Sequence, residues 1–174
     1  MTAVFPEGVP AEGAINIVFV PSIADPAVPS AAVIGGATAV DLSCYIKAGG
    51  FSIDSSQSEI EDRRFCSTTS ATQPGRVTES YGDMIYVYDP QAAPAAPENE
   101  AYETLAPGTT GFIVERWGLP VDTAWTAAQI VVVKPVKWGA RRKQLPADTE
   151  GEVLTVAQRP FVTGPAFDDV ALVA

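Results

Sequence analysis

The chain has 174 residues, 47% of them hydrophobic, with 21 acidic against 11 basic residues, no histidine and a formal net charge of −10. This length fits one domain with a substantial core, and the apolar content is too high for a disordered chain. The charge disfavours a nucleic-acid groove, which carries a basic patch, and the lack of histidine removes the commonest general base and metal ligand.

Residues 1–13 contain Pro, Gly and Glu and read as an arm. Glu7 and Glu12 stand where a signal peptide would have its basic and apolar regions, so synthesis in the cytoplasm is expected. No apolar run approaches the ~20 residues that span a bilayer. Fifteen prolines and fourteen glycines argue for many turns and against long helices. Residues 14–20 (AINIVFV) form a short apolar strand, and 21–29 a proline-rich loop. Residues 30–36 allow one helical turn, with Ser30 as N-cap and Gly35 as a left-handed stop. A strand over 38–46 then leads through Ala48-Gly49-Gly50 into the next hairpin.

That hairpin occupies residues 51–90. It opens with a strand over 50–54, turns polar and acidic, and closes on Asp62-Arg63-Arg64-Phe65-Cys66-Ser67. From 75 to 88 the side chains alternate. Val77, Glu79, Tyr81, Asp83, Ile85 and Val87 share one face, and Thr78, Ser80, Gly82, Met84, Tyr86 and Tyr88 the other. Asp89-Pro90 ends the strand. The stretch from about 52 to 76 is thus expected to be a long, charged hairpin loop, and its acidic connection, 55–74, to be poorly ordered in a free subunit because few large apolar residues offset the entropy of fixing it.

After the QAAPAAP linker, Pro97 with Glu98 and Glu100 marks a helix start. Tyr102 and Leu105 lie on one side of that helix, and Pro107-Gly108 ends it. This is the single helix expected, spanning about 97–106. Residues 110–117 alternate as a strand, with Ile113, Glu115 and Trp117 opposite Phe112, Val114 and Arg116. Residues 128–143 begin as a strand covered on both faces, which Pro135 should push to an edge or a bulge. Residues 146–151 are turn chemistry, 153–158 a strand, and 160–174 an extended arm or final strand. The pattern as a whole reads as one mainly β, antiparallel domain of about eight strands with a single short helix.

Wording along the chain adds a resemblance. DLSCYIKAGGF (41–51) and the acidic stretch after it, DRRFCS (62–67), TQPGR (72–76) and the strand ending YVYDP (86–90) resemble the major tail proteins of long-tailed, siphovirus-type bacteriophages, as found in phages of actinobacteria. QRPFVTGPAFDDVALVA (158–174) is more loosely similar. The resemblance implies a β-sandwich or barrel subunit with one short helix, stacked as hexameric rings into a hollow tube that conducts DNA from capsid to host cell. It also implies copies of itself, a tape measure protein, a tail terminator and tail-tip proteins as partners, no cofactor, and a place in the virion tail after assembly in the host cytoplasm.

The residues allow little catalysis. Glu79 with Asp83 and Glu115 with Asp122 are nominal carboxylate pairs of the glycosidase kind, but 21 acids produce such pairs by chance. No enzyme is expected. Asp168-Asp169 falls far short of a calcium shell. Cys44 and Cys66 read as buried reduced thiols, with a disulfide as the second reading and no metal motif.

Charge is distributed unevenly. Residues 54–103 hold ten acids against three bases, and 134–143 hold five bases and no acid. Either both are solvated faces, or they set the register of partners. On the second reading the candidate contacts between copies are Glu59, Glu61, Asp62, Arg63, Arg64 and Phe65, together with Lys134, Lys137, Arg141, Arg142 and Lys143. Glu79 and Asp83 are candidate lumen-facing residues, whose negative charge would let DNA pass without binding. Two alternatives stand beside the tube: another head–tail or tail-terminator virion protein, or a solitary β-sandwich binding module of the carbohydrate or adhesin type, with Trp117, Trp125 and Trp138 as candidates for a surface platform.

Overall fold

A computed structural model describes residues 5, 7–93, 95–146 and 151–174. The apolar run INIVFV becomes β1 (Ile15–Val20) and pairs antiparallel with β6 (Thr110–Trp117), Val18 opposite Val114. Beyond β6 lies β7 (Ile130–Gln144), the longest strand, which carries β8 (Thr155–Val162) along its second half and β9 (Phe167–Ala171) along its first. The two-residue β2 (Val40–Asp41) borders β1, and β5 (Met84–Val87) borders β8, giving the order β2-β1-β6-β7-β8-β5. The sheet is curled, and the segment after β2 bridges its two edges. Ile46 pairs with Tyr86, Lys47 donates to the Ile85 carbonyl at 2.9 Å, and Ile85 donates to that of Gly50. An open row of backbone groups invites foreign strands, and this seam removes most of it.

Both faces of the sheet are covered, so β1 is continuously apolar from Ile17 to Val20 rather than alternating. Ile17 and Phe19 look into one core with Ile113, Val136, Trp138 and Val156, where Phe19 meets Trp138 edge to face at 6.0 Å. Val18 and Val20 look into the other, with Val114, Val131, Val133 and Leu172. The first core is roofed by α2 (Glu100–Thr104), entered through a 3-10 turn at Pro97–Asn99. Ala101 and Leu105 are fully buried there, and Tyr102 stacks on Tyr88 at 4.5 Å. Gln158, also fully buried, donates to the carbonyls of Leu105 and Gly139 and accepts from the Tyr86 hydroxyl at 2.8 Å. Every polar atom of that amide is satisfied, as a dry interior demands.

The second core is closed by α1 (Ala31–Ile34), capped by the Ser30 hydroxyl accepting from the Ala32 amide at 3.2 Å. Helix therefore forms in two places. Gly35 stops α1 with φ −86°, not in the left-handed region expected of it. Pro135 sits in the middle of an interior strand rather than at an edge. Its carbonyl accepts from Thr163 at 2.9 Å, and N and O of a strand residue point to the same neighbour. The missing donor thus falls at the break between β8 and β9, where no ladder bond is lost. Residues 167–171, expected as an arm or final strand, are sheet, whereas residues 7–11 and 5 carry no regular structure.

The stretch from 51 to 90 departs most from its sequence pattern. β3 (Ile53–Asp62) and β4 (Ala71–Tyr81) pair from Ile53–Tyr81 to Asp62–Ala71, so most of the expected loop is a ladder and only residues 63–70 turn. The single strand expected over 75–88 is broken at Gly82-Asp83. Because the side-chain period is two, the interruption switches the inward face from Tyr81 to Met84 and Tyr86. Gly82 donates to the Ser52 carbonyl at 2.9 Å, and a Cβ on it would stand 2.2 Å from the Ser52 hydroxyl. A side chain at this position would have to turn the Ser52 hydroxyl aside, while the remaining contacts are ordinary van der Waals distances.

Candidate assembly interface

β3 and β4 form a separate two-stranded sheet that leaves the body. At about 3.3 Å per residue its ten-residue β3 reaches roughly 30 Å. Every β3 residue but Asp62 is exposed, as is most of β4, including Ile53, Ile60 and Val77, and Phe65 at the turn is wholly in solvent. A lone two-stranded ribbon in water is marginally stable. Both of its outer edges offer unpaired backbone groups, and beyond the root its apolar side chains Ile60 and Val77 are more than half exposed.

The root of the ribbon is fastened by charge. The Lys134 ammonium lies 3.1 Å from a Glu79 carboxylate oxygen and 5.3 Å from the centre of the Tyr81 ring. Tyr81 donates its hydroxyl to Glu115, which is 1% exposed and also accepts from the Trp117 indole at 3.2 Å. Burial, then the Glu115 carboxylate beside it, pushes the Tyr81 phenol far above its usual range. Arg142 pairs with Asp83, and Arg159 donates to the Tyr81 carbonyl at 3.0 Å. At the tip, Arg63 pairs with Glu61 at 2.7 Å and Arg64 grips Asp62 through two nitrogens. Glu61 is held below its usual value by the Arg63 bond, and the Arg64 guanidinium is raised by Asp62.

The candidate residues therefore divide. Glu59, Glu61, Asp62, Arg63, Arg64 and Phe65 come together on the outer half of the hairpin. The basic run does not act as one patch. Lys134 is buried against Glu79, Arg141 stacks on Tyr102 at 3.9 Å and donates to that residue's carbonyl, and Lys143 stands 5.4 Å from the Tyr88 ring centre. Lys137 and Arg142 are exposed. Glu79 and Asp83 each meet a base of their own chain, so the charge that marked them as lumen candidates is largely neutralised where it stands. Cys44 and Cys66 are free as expected but exposed, not buried. The three tryptophans form no platform: Trp138 is in the core, Trp125 lies under the Arg116 guanidinium at 4.1 Å, and Trp117 alone is half in solvent.

The sequence reading missed the Glu115–Tyr81–Trp117 cluster, although one signal was present. Glu115 falls between Ile113 and Trp117 on the apolar side of an alternating strand, and an acid there needs partners.

A family model described as phage tail tube protein matches residues 2–174. The chain belongs to the phage tail tube protein family. No curated protein matches the sequence. As a tail tube protein it is a structural component of the virion tail that assembles with its own copies into a tube. A tail tube protein needs surfaces that are incomplete in the single subunit, and the exposed β3–β4 hairpin is one such surface.

Proposed function

We propose that this tail tube protein forms closed hexameric rings that stack into a hollow tube, and that DNA travels through the tube from capsid to host cell without being bound. The observation that carries the reading is the β3–β4 hairpin, about 30 Å of ladder with both edges unpaired and with Ile53, Ile60, Val77 and Phe65 uncovered. Neighbouring copies supply the missing strands and the missing apolar cover. The net charge of −10 supports passage without adhesion, since phosphate binding rests on Lys and Arg and five of the eleven bases are already ion-paired within the chain. Glu79 and Asp83 add little to that field, because Lys134 and Arg142 offset them. Tape measure, terminator and tail-tip proteins are the partners at the ends and in the bore, with assembly in the host cytoplasm. The subunit is a building element and not an enzyme. Negative-stain images of purified protein at rising concentration test the reading: rings and tubes of constant width with six-fold end views are expected, and a monodisperse monomer at every concentration overturns it.

A further inference from the structure

At the hairpin root the body opens into a cavity of about 460 Å³, lined chiefly by Ile15, Ile17, Ile46, Phe51, Ile53 and Trp117. Ile53 and Trp117 remain substantially exposed at its mouth. At the other end of the same hairpin Phe65 projects from the turn with nothing of its own chain around it. Resting on the reading that copies assemble, we propose that Phe65 of one copy seats in this cavity of the next, a contact running from tip to root.

Phe65 cannot fill the cavity of its own chain, because the ladder from Ile53–Tyr81 to Asp62–Ala71 holds tip and root at opposite ends. The occupant must come from elsewhere, and the charges around the two surfaces match. Arg63 and Arg64 directly precede Phe65 and are largely exposed. Acidic side chains gather near one end of the cavity, outside its lining. Gly118 donates to Ala14 at 2.8 Å and Val121 to Gly13 at 3.0 Å, which brings exposed Glu12 and Asp122 to the Ile15–Trp117 end. At the other side the lining Lys47 is paired with Glu152 at 2.5 Å, so its charge does not oppose an incoming arginine. The present partners of Arg63 and Arg64 are solvent-exposed pairs, which hold weakly and exchange readily. A phenylalanine entering an apolar recess, with arginines reaching the acids at one end, has the aromatic and arginine content of an anchoring contact.

The chain carries its own reporters. Its two cysteines are free and exposed, Cys66 next to Phe65 and Cys44 between Ser43 and Ile46, which both line the cavity. Assembled tubes treated with a short bismaleimide should yield Cys66–Cys44 links between copies, identified by mass spectrometry and abolished by Cys44→Ser. Phe65→Ser should raise the protein concentration needed for tubes at least about tenfold, the loss of one anchoring side chain, with an unchanged thermal melt because the ring touches nothing in the subunit. Tubes whose links join only like cysteines, or a Phe65→Ser protein that polymerises at wild-type concentration, would overturn the contact while leaving the assembly reading intact. Wild-type protein that never polymerises would overturn that reading, and the contact with it.

Discussion

Lys134 has almost no access to water, and one carboxylate, that of Glu79, answers its charge. Removing one partner of such a pair costs far more than the pair contributes, because the other ion is stranded. Lys134→Met should therefore destabilise the subunit by about 3 kcal/mol in urea unfolding, and adding Glu79→Gln should recover much of the loss. A double variant no better than the single one would refute this coupling. Tyr86 sets a pH limit. Burial pushes its phenol up to about 12, against the opposing pull of the Arg141 charge, while an unfolded tyrosine titrates near 10. Below pH 10 both states hold the proton and the stabilisation is complete. Above it the unfolded chain ionises first, so stability should fall between about pH 10 and 12, by an amount of order 2 kcal/mol for this residue. Tyr86→Phe loses the hydrogen bond to Gln158 at every pH but should show a shallower decline from pH 9 to 11. An unchanged slope would assign the alkaline loss to other groups, Tyr81 first.

At the scale of elements, the hairpin and the body are separable in energy. The body owns both cores, and the hairpin beyond its root buries little. Replacing residues 57–77 with an Asn-Gly turn, which suits a two-residue hairpin, should leave a cooperative melt within a few degrees of the parent and abolish tubes. In the intact protein, amides of the same stretch should exchange quickly in the free subunit and slowly in the tube, since an isolated ribbon opens at little cost. Strong protection in the free subunit would contradict this. Continuous apolar runs showed β1 and the first half of β7, and spacing showed β6 and the packing side of α2, because each buries residues that record it. The sequence pattern did not show β3 as a strand. IDSSQSEIED has no alternation of apolar and polar residues, and the ladder there forms through backbone bonds with both faces wet. Nor did it show the break at Gly82-Asp83, since alternation continues smoothly through a turn that happens to switch faces. The neutralisation of Glu79 and Asp83 was also hidden, because Lys134 and Arg142 lie 55 and 59 residues farther along the chain.

Taken as a whole, the subunit has a curled sheet covered on both sides and one ribbon leaving from a corner. Family membership accounts for that shape better than any property of the isolated chain: a closed body resists nonspecific pairing, and the exposed ribbon concentrates the adhesive surface in one place. The same corner placement has a geometric consequence. The ribbon has no mirror or two-fold counterpart on the body, so a polymer that repeats one ribbon-to-body contact has a direction. Under the proposed Phe65 contact, one terminus would end in unoccupied recesses and the other in unoccupied ribbons. A capping protein shaped for the first would not fit the second, so under the same contact elongation would be arrested at each terminus independently of the other.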